Sequence, residues 1–71
     1  MTGEITEGRY RVRYPDVELD TEIQGTPHGK MVGVMRMREN YALFVEVSDM
    51  GIRLPLVTFQ KKYPGLVWEM V

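Results

Sequence analysis

The chain has no cysteine, one histidine and one tryptophan among its 71 residues. Without cysteine there can be no disulfide, thiolate metal ligand, cysteine nucleophile or CxxC redox pair. Metal sites generally need two or three converging side chains, so one histidine gives no reason to expect a metal or any other cofactor. Long apolar runs are also missing. No uncharged stretch approaches the roughly 20 residues that cross a bilayer, so no membrane role is expected. The opening Met1-Thr2-Gly3-Glu4-Ile5-Thr6-Glu7-Gly8 is acidic and lacks the apolar centre of a secretory leader. A cytoplasmic protein is the expectation. Positive charge is not in excess either: nine Lys and Arg face ten Asp and Glu, for a net −1. That is not the basic field from which nucleic-acid binders draw most of their affinity.

What is present describes one small domain. Hydrophobic residues make up 44% and charged residues 27% of the chain. A domain of about 60 residues buries only about 60% of its unfolded surface, so the core is near the lower limit for independent folding. Residues 1–8 are expected to be a flexible N-terminal segment and 9–71 a single domain. The charges are unevenly spread. Residues 1–22 sum to −3, with Arg9, Arg11 and Arg13 against six acids, and residues 23–71 sum to +2.

Alternation of period two dominates the pattern, which is the signature of half-buried strands. In Arg9–Tyr14, Tyr10, Val12 and Tyr14 share one face and three arginines the other. In Asp16–Ile23, Val17, Leu19, Thr21 and Ile23 oppose four acids. Tyr14-Pro15-Asp16 between them is a turn signal. The two runs are predicted to form a hairpin. A four-residue loop sets Arg13 opposite Asp20 and Arg11 opposite Glu22, and a two-residue loop also matches charges. Each such pair contributes roughly 0.2–1 kcal/mol. The competing reading of Arg-x-Arg-x-Arg, a phosphate-binding stripe, is set aside because matched acids would neutralise it.

Gly25-Thr26-Pro27-His28-Gly29 reads as a loop and Lys30–Met37 as a strand. Arg38-Glu39-Asn40 reads as a three-residue hairpin loop, with Asn40 in the left-handed conformation. That register sets Met37 opposite Tyr41, Met35 opposite Leu43 and Met31 opposite Val47. After the strand Tyr41–Val47, Ser48-Asp49-Met50-Gly51 is a tight turn. It sets Val47 opposite Ile52, Glu46 opposite Arg53, Val45 opposite Leu54 and Leu43 opposite Leu56. Pro55 cannot donate to a ladder, so its strand ends there or lies at an edge. Residues 57–63 are predicted to make one helical or 3₁₀ turn with Phe59 inward, and Leu66–Met70 a last strand. No 11-residue window has convincing helical periodicity. The expected fold is all-β: a small, partly closed barrel of five to six short antiparallel strands, with an open sheet as the alternative. This element order over residues 9–70 resembles a small SH3-like barrel, though no sequence motif supports it.

Candidate chemistry is sparse. His28 is expected to be an exposed loop residue. Gly25–Lys30 fails the phosphate-loop pattern, because its glycines are four positions apart, Met31 follows Lys30, and a strand follows in place of a helix. Ser48 and the five threonines have no base placed beside them, so no catalytic set and no enzyme activity is expected. Binding is the better expectation. The six methionines suit adaptable surfaces as well as irregular cores. Met35, Met37, Phe44 and Trp68 are the candidate protein-binding residues of a non-enzymatic accessory or regulatory module, acting on a protein partner or by self-association. The alternative is a small-barrel nucleic-acid binder using a C-terminal basic patch of Arg36, Arg38, Arg53, Lys61 and Lys62, beside aromatic rings on which bases could stack. A lower-ranked reading has the acids of 16–22 mimic an acidic surface.

Overall fold

The computed structural model describes residues 5–71. Its elements are β1 (Gly8–Arg13), β2 (Met31–Arg36), β3 (Leu43–Val47), a 3₁₀ turn (Ser48–Met50), β4 (Ile52–Pro55), α1 (Leu56–Lys62) and β5 (Val67–Met70). The strands form one antiparallel sheet in the order β4-β3-β2-β1-β5. It is not closed: β4 and β5 are its two edges.

One face of the sheet carries the core. Tyr10 and Val12 of β1, Val32 and Val34 of β2, and Val45 and Val47 of β3 are all buried, with Phe59 and Tyr63 packed on them. Valine suits the middle of such a sheet because its branched side chain loses little freedom there and fills the pleat. Pro55, at φ −56°, ends β4 and sits at the N-cap of α1. That helix runs for seven residues in place of the single turn expected, and it buries Phe59 completely. Trp68 closes the cluster. Its ring lies 5.6 Å from Phe59 and 5.7 Å from Tyr10, both edge-on.

The β3–β4 register agrees with the reading of the sequence: Val47↔Ile52, Glu46↔Arg53 and Val45↔Leu54. The last pair differs. Phe44 meets Pro55, and Leu56, expected opposite Leu43, already belongs to the helix. Gly51 closes the intervening 3₁₀ turn in the left-handed conformation at φ 65°.

Two expectations are overturned. The predicted hairpin of 9–14 with 16–23 does not form, because β1 pairs with β2 on one side and β5 on the other. Residues 14–30 instead run as successive turns, with the N–H groups of Val17, Thr21 and Thr26 bonded to the carbonyls three residues before them. The competition is unequal. The acidic run offers β1 exposed charge pairs of a few tenths of a kcal/mol and the apolar side chains Val17, Leu19 and Ile23, which stay partly or wholly exposed in the fold. β2 and β5 bring Val32, Val34 and Trp68 beside Tyr10 and Val12, where each fully buried large side chain contributes about 1.5–3 kcal/mol.

The β2–β3 register is also shifted by one residue, so that Met35 faces Phe44 and Val34 faces Val45. A one-residue shift moves every side chain to the other face. Val32 and Val34 therefore point inward, and Met31 and Met35 outward. The hairpin accommodates this with Tyr41, not Asn40, at positive φ (60°). Asn40 Oδ1 accepts the Ala42 N–H, and Met37 and Ala42 close the loop through a 2.8 Å bond.

Of the N-terminal segment, residues 1–4 lie outside the described residues. Ile5 packs against the core, Tyr10 donates its hydroxyl to the Thr6 carbonyl at 2.9 Å, and the Glu7 carboxylate accepts the Arg36 N–H at 3.1 Å.

Candidate functional site

Because side chains alternate across a strand, burying one face commits the other to solvent. The outer face carries Arg9, Arg11 and Arg13 of β1, Met31, Gly33 and Met35 of β2, Phe44 and Glu46 of β3, Arg53 and Pro55 of β4, and Val67 and Glu69 of β5. The helix covers none of them, since Phe59 anchors it on the core side.

The registers arrange these residues in rows. One row is apolar: Met35, Phe44, Pro55. A second runs Arg9, Gly33, Glu46, Arg53, and a third runs Met31, Arg11, Glu69. At the centre Gly33 has no side chain, and a Cβ there would meet nothing within 4 Å. The result is a depression of about 330 Å³ lined by Arg9, Met31, Met35, Glu46, Ser48 and Asp49, with Val32 and Gly33 at its base. A glycine inside a strand weakens it and often marks close approach of another group.

The electrostatics of this face are mixed. Among the described residues the one ion pair is Arg13 Nε to Glu69 Oε2 at 3.3 Å, with both side chains substantially exposed. Arg53 does not pair with Glu46 across the strands. Its Nη2 donates to Met37 Sδ at 3.8 Å, which holds Met37 beside Arg53 at the edge of this face. Arg11 Nε is buried without an acceptor. Arg9, Arg11 and Arg13 follow one another along the outer face of β1, with Glu69 beside them on β5 and Glu46 two strands away on β3.

Three of the four candidate protein-binding residues thus come together: Met35, Met37 and Phe44, all half-buried on or beside the outer face. Trp68 does not join them, because it packs into the core against Phe59 and Tyr10. The five basic residues are dispersed. Arg36 and Arg38 lie at the β2–β3 hairpin, with Arg36 Nη1 bonded to the Tyr41 carbonyl at 2.8 Å. Arg53 is on the outer face. Lys61 and Lys62 are in the last turn of the helix on the opposite side, with Lys62 Nζ 5.6 Å from the Tyr63 ring centroid. Reading the sequence missed Arg9, Gly33 and Glu46 as surface partners. The available signals were the arginine alternation and a glycine in the middle of a strand.

His28 is not exposed; it is buried within residues 14–30. Its Nδ1 accepts the Tyr14 N–H at 3.0 Å, which leaves Nε2 to donate to the Glu18 carbonyl at 2.8 Å. The ring stacks on Tyr14 with centroids 5.9 Å apart. Both nitrogens are therefore occupied in holding the loop. Asp16, Glu18, Asp20 and Glu22 remain exposed on that loop. Among the described residues no three His, Cys, Asp or Glu converge as metal ligands, and no helix is long and apolar enough to cross a membrane.

No family model, curated protein or solved structure matches the chain, so its own residues carry the functional argument.

Proposed function

We propose that this chain is a small, non-enzymatic interaction module, with its strands in an SH3-like arrangement, that acts by docking the outer face of its sheet on a protein partner. One observation carries the reading: Met35, Phe44 and Pro55 form a half-buried apolar row on a face that no strand or helix among the described residues covers, with Met37 beside it and arginines and carboxylates around it. An apolar centre with a mixed polar rim is the usual anatomy of a protein–protein interface, and methionine adapts to the surface it meets. The strand order and the single helix before the last strand support the SH3-like comparison. The groove that receives proline-rich peptides in such domains is not proposed, since residues 15–30 contain no aromatic side chain to line it.

The nucleic-acid reading has one observation in its favour: the acids of 16–22 do not pair with Arg9 and Arg11. Against it, Glu69 lies beside Arg11 and pairs with Arg13, the chain has a net charge of −1, and Lys61 and Lys62 sit on the other side.

The test is site-specific photo-cross-linking in the cells that produce the protein, with a benzophenone side chain at Phe44 or, as control, at exposed Val57 on α1. A discrete protein adduct from position 44 alone is expected. Equal labelling from both positions, or none from 44, overturns the reading. A nucleic-acid adduct at 44 transfers the surface to the alternative.

A further inference from the structure

Resting on that reading, we infer that the protein bound by the outer face is a second copy of this chain, docked face to face about a twofold axis that runs along β2 over Gly33. The argument is one of charge placement. Arg9 and Glu46 flank Gly33 on opposite sides in the same row, each one strand spacing of about 4.8 Å from β2. Among the described residues neither carboxylate nor guanidinium has an ion-pair partner within 4.0 Å.

A twofold axis along β2 exchanges left and right across the sheet. Arg9 then faces Glu46 of the second copy and Glu46 faces its Arg9, two identical contacts of opposite sign, as an isologous interface requires. The same rotation puts Gly33 over Gly33 and joins the two depressions. Met31 and Met35 meet their own counterparts there and can lean into the shared space. Phe44 comes to the level of Glu7, and Arg11 to the end of β3 near Ser48 and Asp49, so no like charges oppose. The other in-plane axis, across the strands, sets Arg9 on Arg9, Glu46 on Glu46 and Arg53 on Arg53. The face is self-complementary in the first orientation and self-repelling in the second. Two sheets packed this way lie about 10 Å apart with their strands nearly aligned.

The face is small, roughly 20 Å by 15 Å from strand spacing and rise. At about 300 Å² per copy it is below the area of stable specific interfaces, so a weak, transient dimer is expected, with a dissociation constant on the order of 10–100 µM.

The test is sedimentation equilibrium of the whole chain across that concentration range, with three samples: Arg9→Glu, Glu46→Arg, and their equimolar mixture. The wild type should approach twice the mass of the chain. Each reversal alone places like charges opposite in both contacts and should remain monomeric. The mixture restores two opposite-sign contacts and should recover the dimer. A wild type that stays monomeric, a reversal that leaves dimerisation intact, or a mixture of two folded variants that stays monomeric each overturns the inference. Circular dichroism establishes that the variants fold. Should either reversal not fold, Gly33→Glu tests the same axis: its side chain enters open space in the monomer and is set against its own like-charged counterpart on the axis in the dimer, so a folded dimer overturns it. The cross-link at position 44 separates the two claims. An adduct with a different protein preserves the interaction-module reading while this inference falls, and no adduct removes the reading itself.

Discussion

The inner face of the sheet is built largely from valine, with a lid of Phe59, Tyr63 and Trp68, whereas the outer face interleaves arginine, methionine and carboxylates around a glycine. Both faces belong to the same strands and the same hydrogen bonds, so the difference is one of side-chain chemistry alone. On the inner face every polar atom would need a partner, and almost none is present. On the outer face the charges are more exposed: Arg13 pairs with Glu69 in water, Arg9 and Glu46 have no ion-pair partner among the described residues, and only Arg11 Nε is buried without an acceptor. The comparison separates what holds this protein together from what it has free to offer. It also implies that substitutions on the two faces should report in different measurements: stability for one, association for the other.

The largest effect belongs to the inner face. Phe59→Ala removes a fully buried ring that touches both Tyr63 and Trp68. Such truncations cost about 3–5 kcal/mol, close to the lower end of whole-domain stability at ~5 kcal/mol. Thermal melting by circular dichroism should therefore find the variant largely unfolded at 25 °C; a cooperative native melt would break the claim that this ring anchors the core. Next comes the 14–30 segment. His28→Ala strands the Tyr14 N–H and the Glu18 carbonyl, and an unsatisfied buried group costs about 1–3 kcal/mol. Amide hydrogen exchange should show lost protection at Tyr14, with the β3–β4 pairing little changed.

Outer-face changes should be smaller, and one should be favourable. Gly33 has no positive φ and open space at its Cβ, so Gly33→Val should stabilise the monomer by about 0.4–1 kcal/mol, largely by restricting the unfolded chain. A fall in melting temperature would mean that the depression is filled by a neighbour. Arg13→Ala removes the exposed pair with Glu69 and should shift stability by no more than about 0.5 kcal/mol in urea titration. A loss of 2 kcal/mol or more would place that pair outside the exposed class.

Reading the sequence recovered the strand character of β1, β2, β3 and β5, the β3–β4 register, the helical segment after Pro55 and the inward Phe59. These features are short-range. The Ser48–Gly51 turn is closed by adjacent residues, and Pro55 acts on its own backbone. The 16–23 run failed because alternation reports only that a segment could be a strand, and Val17, Leu19, Thr21 and Ile23 alternate as well as Tyr10, Val12 and Tyr14 do. The β2–β3 register failed for a similar reason: Met31–Met35 and Val32–Val34 are both apolar sets, so either face of β2 could be read as the buried one. His28 was misplaced because a loop of glycine and proline reads as exposed. Its burial depends on the Tyr14 amide and the Glu18 carbonyl, which reach it only through the turns between.

The candidate surface was half legible. Met35, Met37 and Phe44 were named from composition, but that they share a face with Arg9 and Glu46 follows from the corrected register. Once the acids of 16–22 leave β1, the arginines require a new account, and the rows across the sheet supply it.

By itself the sequence determined the local elements and the two chemistries of each strand, because period-two alternation and turn residues act between near neighbours. Only the tertiary structure decided which strands β1 pairs with, which face of β2 is buried and where Trp68 goes. Those choices are competitions between distant segments for the same hydrogen bonds, and they are settled by the apolar area each pairing removes from water.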